Sequence, residues 1–328
     1  MRETGTLGAD SAAPSLSRYT RAAGMPLLFL ASILATLAIH QNFGAFDVQS
    51  LALGALPLAM AATAQAIVVI SGGIDLSVGS MIAVANVLSA TLMEHASFRQ
   101  SLGFAALILV LGAAQGALNG LLIVLSRIPD IVVTLTTGFI WGGVALLILE
   151  RPGGGAPSAF LDIGAGADLS PFLPNALILL IVAVGVIWLP VRASRLGLSL
   201  YATGSDPIAA FRSGVDPRLA RILAYGLGGI FCAVGGVALT MTTGIGAPLA
   251  GAYYTLSSVA AVVIGGVSLN GGRGGVLGPV LAALLLTLLP MDLIFLNIDP
   301  NYGQVIQGTL IVLVVMIGGF AAFLQGRS

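Results

Sequence analysis

The stretch VVISGGIDLSVGS, residues 68–80, sets a single carboxylate, Asp75, just past the glycine pair Gly72–Gly73 and between two long apolar runs. A carboxylate in that position can do three things. It can cap a helix, touch a substrate or gate, or carry a proton. Gly72 or Gly73 is suited to end one helix in the left-handed conformation, and Asp75 to receive the first amides of the next, near its positive dipole end. Farther along, Gln115 and Asn119 stand four residues apart and share one helix face. Gln65, Asn86, Thr134, Thr136 and Thr137 add uncharged polar groups within apolar runs. One by one, such groups suit hydrogen bonds between helices; together they suit a route for a neutral polyol better than one for an ion. No nucleophile–base set and no Cys/His metal spacing accompanies them, so neither a catalytic nor a metal residue is assigned. His40 and His95 fall at helix ends, and Cys232, alone in an apolar run, can form no intrachain disulfide.

The elements that must position these groups are membrane spans. With 57% hydrophobic and 8% charged residues, the chain cannot cover a soluble domain's surface with charge. The pattern predicts an all-α integral membrane protein with about ten spans: 24–41, 50–71, 76–93, 102–126, 131–149, 174–191, 219–241, 255–270, 275–292 and 303–323. Arg18 and Arg21 precede the first apolar run, but IHQNFGAF is a poor cleavage site, so that run reads as a retained span.

All thirteen basic residues are arginine. Without a lysine the chain cannot carry a Walker A phosphate loop. With both termini in the cytoplasm, Arg2, Arg18, Arg21, Arg127, Arg192, Arg195, Arg212, Arg218, Arg221, Arg273 and Arg327 lie inside, and only Arg99 and Arg151 outside. Residues 1–20 then form a disordered cytoplasmic tail, 21–328 the transmembrane domain, 150–174 the main external loop and 192–221 the main cytoplasmic one.

That cytoplasmic loop contains SDPIAAFRSG, in which Ser205 and Asp206 cap a short helix, Pro207 takes its first position and Gly214 closes it. VVISGGIDLSVGS, GALNGLLIVLSRIPDIVVTLTT, LYATGSDPIAAFRSGV and AVVIGGVSLNGGRGGVLGPVL occur in this order, and together they resemble the permease subunit of ribose-type sugar ABC importers. The resemblance runs from about residue 50 to the end. It implies a ten-helix subunit of the bacterial inner membrane that dimerises, binds a cytoplasmic ATPase carrying ATP and Mg, and receives sugar from an extracytoplasmic binding protein. It also implies that Ala209, Ala210 and Gly214 belong to the ATPase-coupling loop, where Asp206 and Arg212 flank them. Asp130, in RIPD, departs from the family, which more often has an uncharged residue there.

An internal echo joins 68–79 to VVIGGVSLNGG at 262–272. Aligning Gly72–Gly73 with Gly265–Gly266 sets Ser268 under Asp75, Asn270 under Ser77 and Gly272 under Gly79. Both copies then read as helix breaks or gating motifs, in parallel or inverted relation, and a small polar cap is what they share. A secondary transporter driven through Asp75 is the competing function.

Overall fold

The computed structural model describes residues 16–299 and, beyond them, positions 301–303, 305, 306, 308, 309, 312 and 316. Most of the expected tail, and most of the expected last span, lie outside the described residues. The described chain is helical: α1 (Leu16–Ile39), α2 (Ala45–Ile70), α3 (Val78–Met93), α4 (Phe98–Ser126), α5 (Asp130–Ile148) and α6 (Ser158–Ala165) come first. Then follow α7 (Asn175–Ala183), a π turn (Val184–Trp188), α8 (Leu189–Ala193), α9 (Arg195–Ser205), α10 (Pro207–Arg212), α11 (Pro217–Thr243), α12 (Ala252–Ile264) and α13 (Leu277–Phe295). Helix α1 thus begins at Leu16, inside the stretch expected to be tail.

Among the described residues six helical stretches are long and apolar enough to cross a bilayer: α2, α4, α5, the continuous run Asn175–Ala193, α11 and α13. Three shorter apolar helices, Gly24–Ile39, α3 and α12, accompany them. Both α3 and α12 adjoin an unwound segment, 71–77 before α3 and 265–276 after α12.

The core lies along α2, which is buried over nearly its whole length from Leu51 to Ile70. Around it the helices approach closely because small residues face one another. A Cβ at Gly116 in α4 would strike the Tyr225 carbonyl of α11, and one at Gly229 would strike the Gly112 carbonyl of α4. Gly112, Gly116 and Gly120, four residues apart in sequence and so a stripe suited to close contact, form the α4–α11 crossing, the small-residue packing that substitutes for hydrophobic driving force in lipid.

Candidate functional site

The segment 71–77 is the centre of the polar structure. Helix α2 ends with Gly72 at φ +88°, and the Gly72 and Gly73 amides return to Val69 O (2.9 Å) and Val68 O (3.1 Å). A left-handed closing residue has no penalty only for glycine. The chain then climbs into the bundle: Asn119, seven residues before the end of α4, bonds Ser77. Seven residues of helix are about 10 Å of depth. Non-helical backbone at such depth requires its peptide groups to be met by protein; three helices supply the partners, and a fourth holds the Ser77 side chain.

Gln65 of α2, with its amide oriented to match, donates to Asp75 O (2.8 Å) and accepts from Asp75 N (3.3 Å). From α5, Thr134 Oγ1 accepts the Leu76 amide at 3.0 Å. From α11, Arg221 donates to Gly72 O at 3.1 Å, and the Tyr225 hydroxyl stands 3.3 Å from Ile74 O. Asn119 of α4 donates to Ser77 Oγ at 2.7 Å.

Asp75 itself turns inward on its own segment. Its Oδ1 accepts the Ser77 amide (2.8 Å) and the Ser77 hydroxyl (2.6 Å). This closes a local turn one residue ahead of α3 and leaves the first amides of α3 uncapped by a side chain. Its Oδ2 is buried without a hydrogen-bond partner among the described residues, as is Asn119 Oδ1.

Asp130 now has a place. Its Oδ2 accepts from Arg221 at 2.9 Å and from the Tyr225 hydroxyl at 3.0 Å. The acid therefore orients the two α11 side chains that hold the 72–74 carbonyls. Sequence reading saw the departure but not the pair, because the partners lie 91 and 95 residues away. The one available signal was a second charge, Arg221, near the start of a span.

The second break starts in the same way. Gly266 is at φ +77°, and the Gly266 and Val267 amides return to Val263 O and Val262 O at 3.1 Å each. Matching these bonds pairs Gly72 with Gly266 and Gly73 with Val267, a register one residue later than the glycine-pair alignment. Asp75 then faces Leu269 rather than Ser268. Among the described residues the Ser268 side chain bonds no helix amide; the Ser268 backbone amide goes to Arg273 O (3.1 Å). The reason is physical: the left-handed residue fixes the closure, and it is the second glycine of one pair but the first of the other. Asn270 is exposed, and Gly79 packs on Gly251 where α3 meets the start of α12.

The two breaks touch, and α9 touches both. The Gly272 amide donates to Ile70 O at 2.9 Å. Gly204, at the end of α9, lies against Ile70 O, Gly72, Gly271 and Gly272, where any Cβ would collide with Ile70 O. Tyr201 adds a bond to Gly274 O at 2.9 Å. Directly beyond this junction comes α10, whose cap is as the sequence implied: Asp206 accepts from Ile208 N (2.8 Å) and Ala209 N (3.0 Å), and Gly214 follows at φ +85°. Ser205 ends α9 instead of capping α10. Ala209 and Arg212 are exposed and Ala210 is buried.

The remaining polar candidates separate. Asn86 sits at the far end, bonded to Thr240 Oγ1 (2.8 Å) and Ala247 N (2.7 Å). Thr136 is exposed and bonds within its helix to Val132 O. Gln115 is half-buried and not part of the 71–77 cluster. No group of three metal-ligating side chains occurs among the described residues.

Residues 48–315 match the family described as branched-chain amino acid transport system, permease component. The chain belongs to that permease family. It is 29% identical over 325 residues to the fructose import permease protein FrcC of Rhizobium meliloti, covering 91% of this chain and 86% of that one. It is 29% identical to the ribose import permease protein RbsC of Escherichia coli K12, covering 79% and 81%. It is 31% identical to the autoinducer 2 import system permease protein LsrD of Yersinia enterocolitica, covering 84% and 82%. No solved structure matches the chain. Permease subunits of import systems do not favour the reading of a secondary transporter driven through Asp75.

Proposed function

We propose that this chain is the transmembrane subunit of an ABC importer that carries a pentose, hexose or related polyol across the bacterial inner membrane. In this reading it has ten spans, both termini in the cytoplasm and a second copy as dimer partner. A separate ATPase binds ATP and Mg, and an extracytoplasmic binding protein delivers the sugar. The two glycine breaks act as a parallel repeat beside the pathway, and Gln65, Asn86, Gln115, Asn119, Thr134 and Thr136 are its candidate polar lining.

The observation that carries the reading is α10. A six-residue helix, capped by Asp206 and closed by Gly214, exposes Ile208 (66%) and Phe211 (69%). Two exposed apolar side chains on a short helix suit a partner groove. Through Gly204, the residue two before the cap, a push on α10 reaches both breaks by direct contact of backbone with backbone. Co-purification with a separately tagged ATPase tests this. Gly214→Arg should abolish recovery of the ATPase while the permease still inserts; undiminished recovery would overturn the docking assignment.

A further inference from the structure

On the face that carries α10, an open cleft of about 500 Å³ is lined by Arg127, Asp130, Thr203, Pro207, Arg218 and Arg221, among others. That volume is in the range of small-ligand sites. Its charges do not cancel. Arg221 is paired with Asp130, whereas Arg127 and Arg218 are exposed and have no ion-pair partner among the described residues. The cleft therefore carries two uncompensated guanidinium groups. It also holds an unsatisfied donor: Thr203 is 1% exposed and its hydroxyl has no hydrogen-bond partner among the described residues. Guanidinium forks give phosphate oxygens strong charge-assisted bonds, and a hydroxyl can add a weaker neutral one.

Exposed apolar side chains adjoin it: Ile128, in the cleft lining, is 45% exposed, and Ile131 and Leu219, next in sequence to the lining residues Asp130 and Arg218, are 47% and 53% exposed. An acidic protein surface would meet a polar rim; a lipid brings phosphate and hydrocarbon together, and basic pockets between spans on the cytoplasmic side hold such headgroups.

We propose that this cleft binds the headgroup of an anionic phospholipid, with its acyl chains along Ile128, Ile131 and Leu219. The site depends on the orientation adopted under Proposed function, which sets the cleft at the cytoplasmic leaflet. A headgroup there touches the end of α4, the start of α11 and, through Thr203, the segment leading into α10. It lies next to the Arg221–Asp130 pair that holds 72–74.

The test uses the whole transporter purified with its ATPase, in neutral phosphatidylcholine micelles supplemented with phosphatidylglycerol or cardiolipin, with retained lipid measured by native mass spectrometry. Wild type retains the anionic lipid over phosphatidylcholine. The pair Arg127→Gln and Arg218→Gln binds it about thirtyfold more weakly, from the attraction of two basic side chains near a surface. Arg127→Lys with Arg218→Lys, which keeps the charge, retains most of the binding. Arg192→Gln with Arg195→Gln removes the same charge from a separate basic cleft and leaves retention unchanged. Equal retention in all variants, or equal loss in both glutamine pairs, overturns the site in favour of general surface charge. Full displacement by millimolar inorganic phosphate overturns the lipid and assigns a free anion. Retention by the permease alone that vanishes when the ATPase binds assigns the cleft to the protein partner and also overturns it. Failure to recover any ATPase counts against the functional reading and leaves the lipid count standing.

Discussion

The two glycine breaks begin alike and are held differently. Both close a helix with a left-handed glycine, and both lie at the same end of the bundle in mutual contact. The first, 71–77, is tied by side chains from four helices, and its acid is 1% exposed. The second, 265–276, is tied mainly by backbone, by Tyr201 and by Gly204, and presents exposed Leu269, Asn270 and Arg273. One closure motif thus serves two mechanical roles. Side-chain ties hold an unwound segment deep in the bundle, whereas the more exposed second segment is held chiefly through backbone.

The sharpest way to break this comparison is at the shared contact. Gly204→Val inserts bulk where only hydrogen fits against Ile70 O, and overpacking against backbone costs about 3 kcal/mol or more. The expected result is loss of the folded permease in thermal unfolding, or an assembled complex in which ATP hydrolysis no longer drives uptake. Next comes Asp130→Ala, which strands Arg221 and Tyr225. A fully buried broken pair costs more, but Arg221 is 30% exposed, so about 1–3 kcal/mol is expected. The double variant Asp130→Ala with Arg221→Gln should recover part of that loss, and strict additivity would refute the clamp. Asn119→Ala leaves Ser77 Oγ without its donor and should lower stability by about 1–2 kcal/mol. Asp75→Asn keeps an oxygen for the Ser77 bonds and aims an amide at the unpartnered side. Stability within about 1 kcal/mol of wild type and substantial sugar uptake are expected; complete loss of uptake in a normally assembled complex would assign work to the charge. Ser268→Ala in the second break should be smallest, within about 0.5 kcal/mol. A larger effect there than at Asn119 would reverse the contrast.

These contrasts were only partly legible in the sequence. Apolar runs marked helix positions, and Asp206, Pro207 and Gly214 marked α10 to the residue, because capping is local chemistry. The glycine stripe at 112, 116 and 120 signalled a close crossing but not that α11 is the partner, since small residues fit any similar face. Asp75 shows the limit most clearly. Its type suggested a helix cap, yet it closes a turn, because Gln65, Thr134 and Tyr225 already hold the surrounding peptide groups. Those side chains find their targets through tertiary proximity, which spacing along the chain does not record. The one-residue slip between the breaks has the same origin: identical glycine pairs can place either member in the left-handed position.

The far end of the bundle adds one consequence. Asn86, eleven residues after Asp75, is bonded to Thr240 and to the chain beyond α11, while at the other end Arg221 and Tyr225 of α11 hold Gly72 and Ile74. Helix α11, about 40 Å long, is therefore bolted at both ends to the same stretch of chain. A member tied at two points resists swivelling, which braces the stretch 72–86, unwound segment and first half of α3 together, against α11. The 265–276 corner lies outside that brace, reaching it only through Gly272 on Ile70 O and the Gly204 contact.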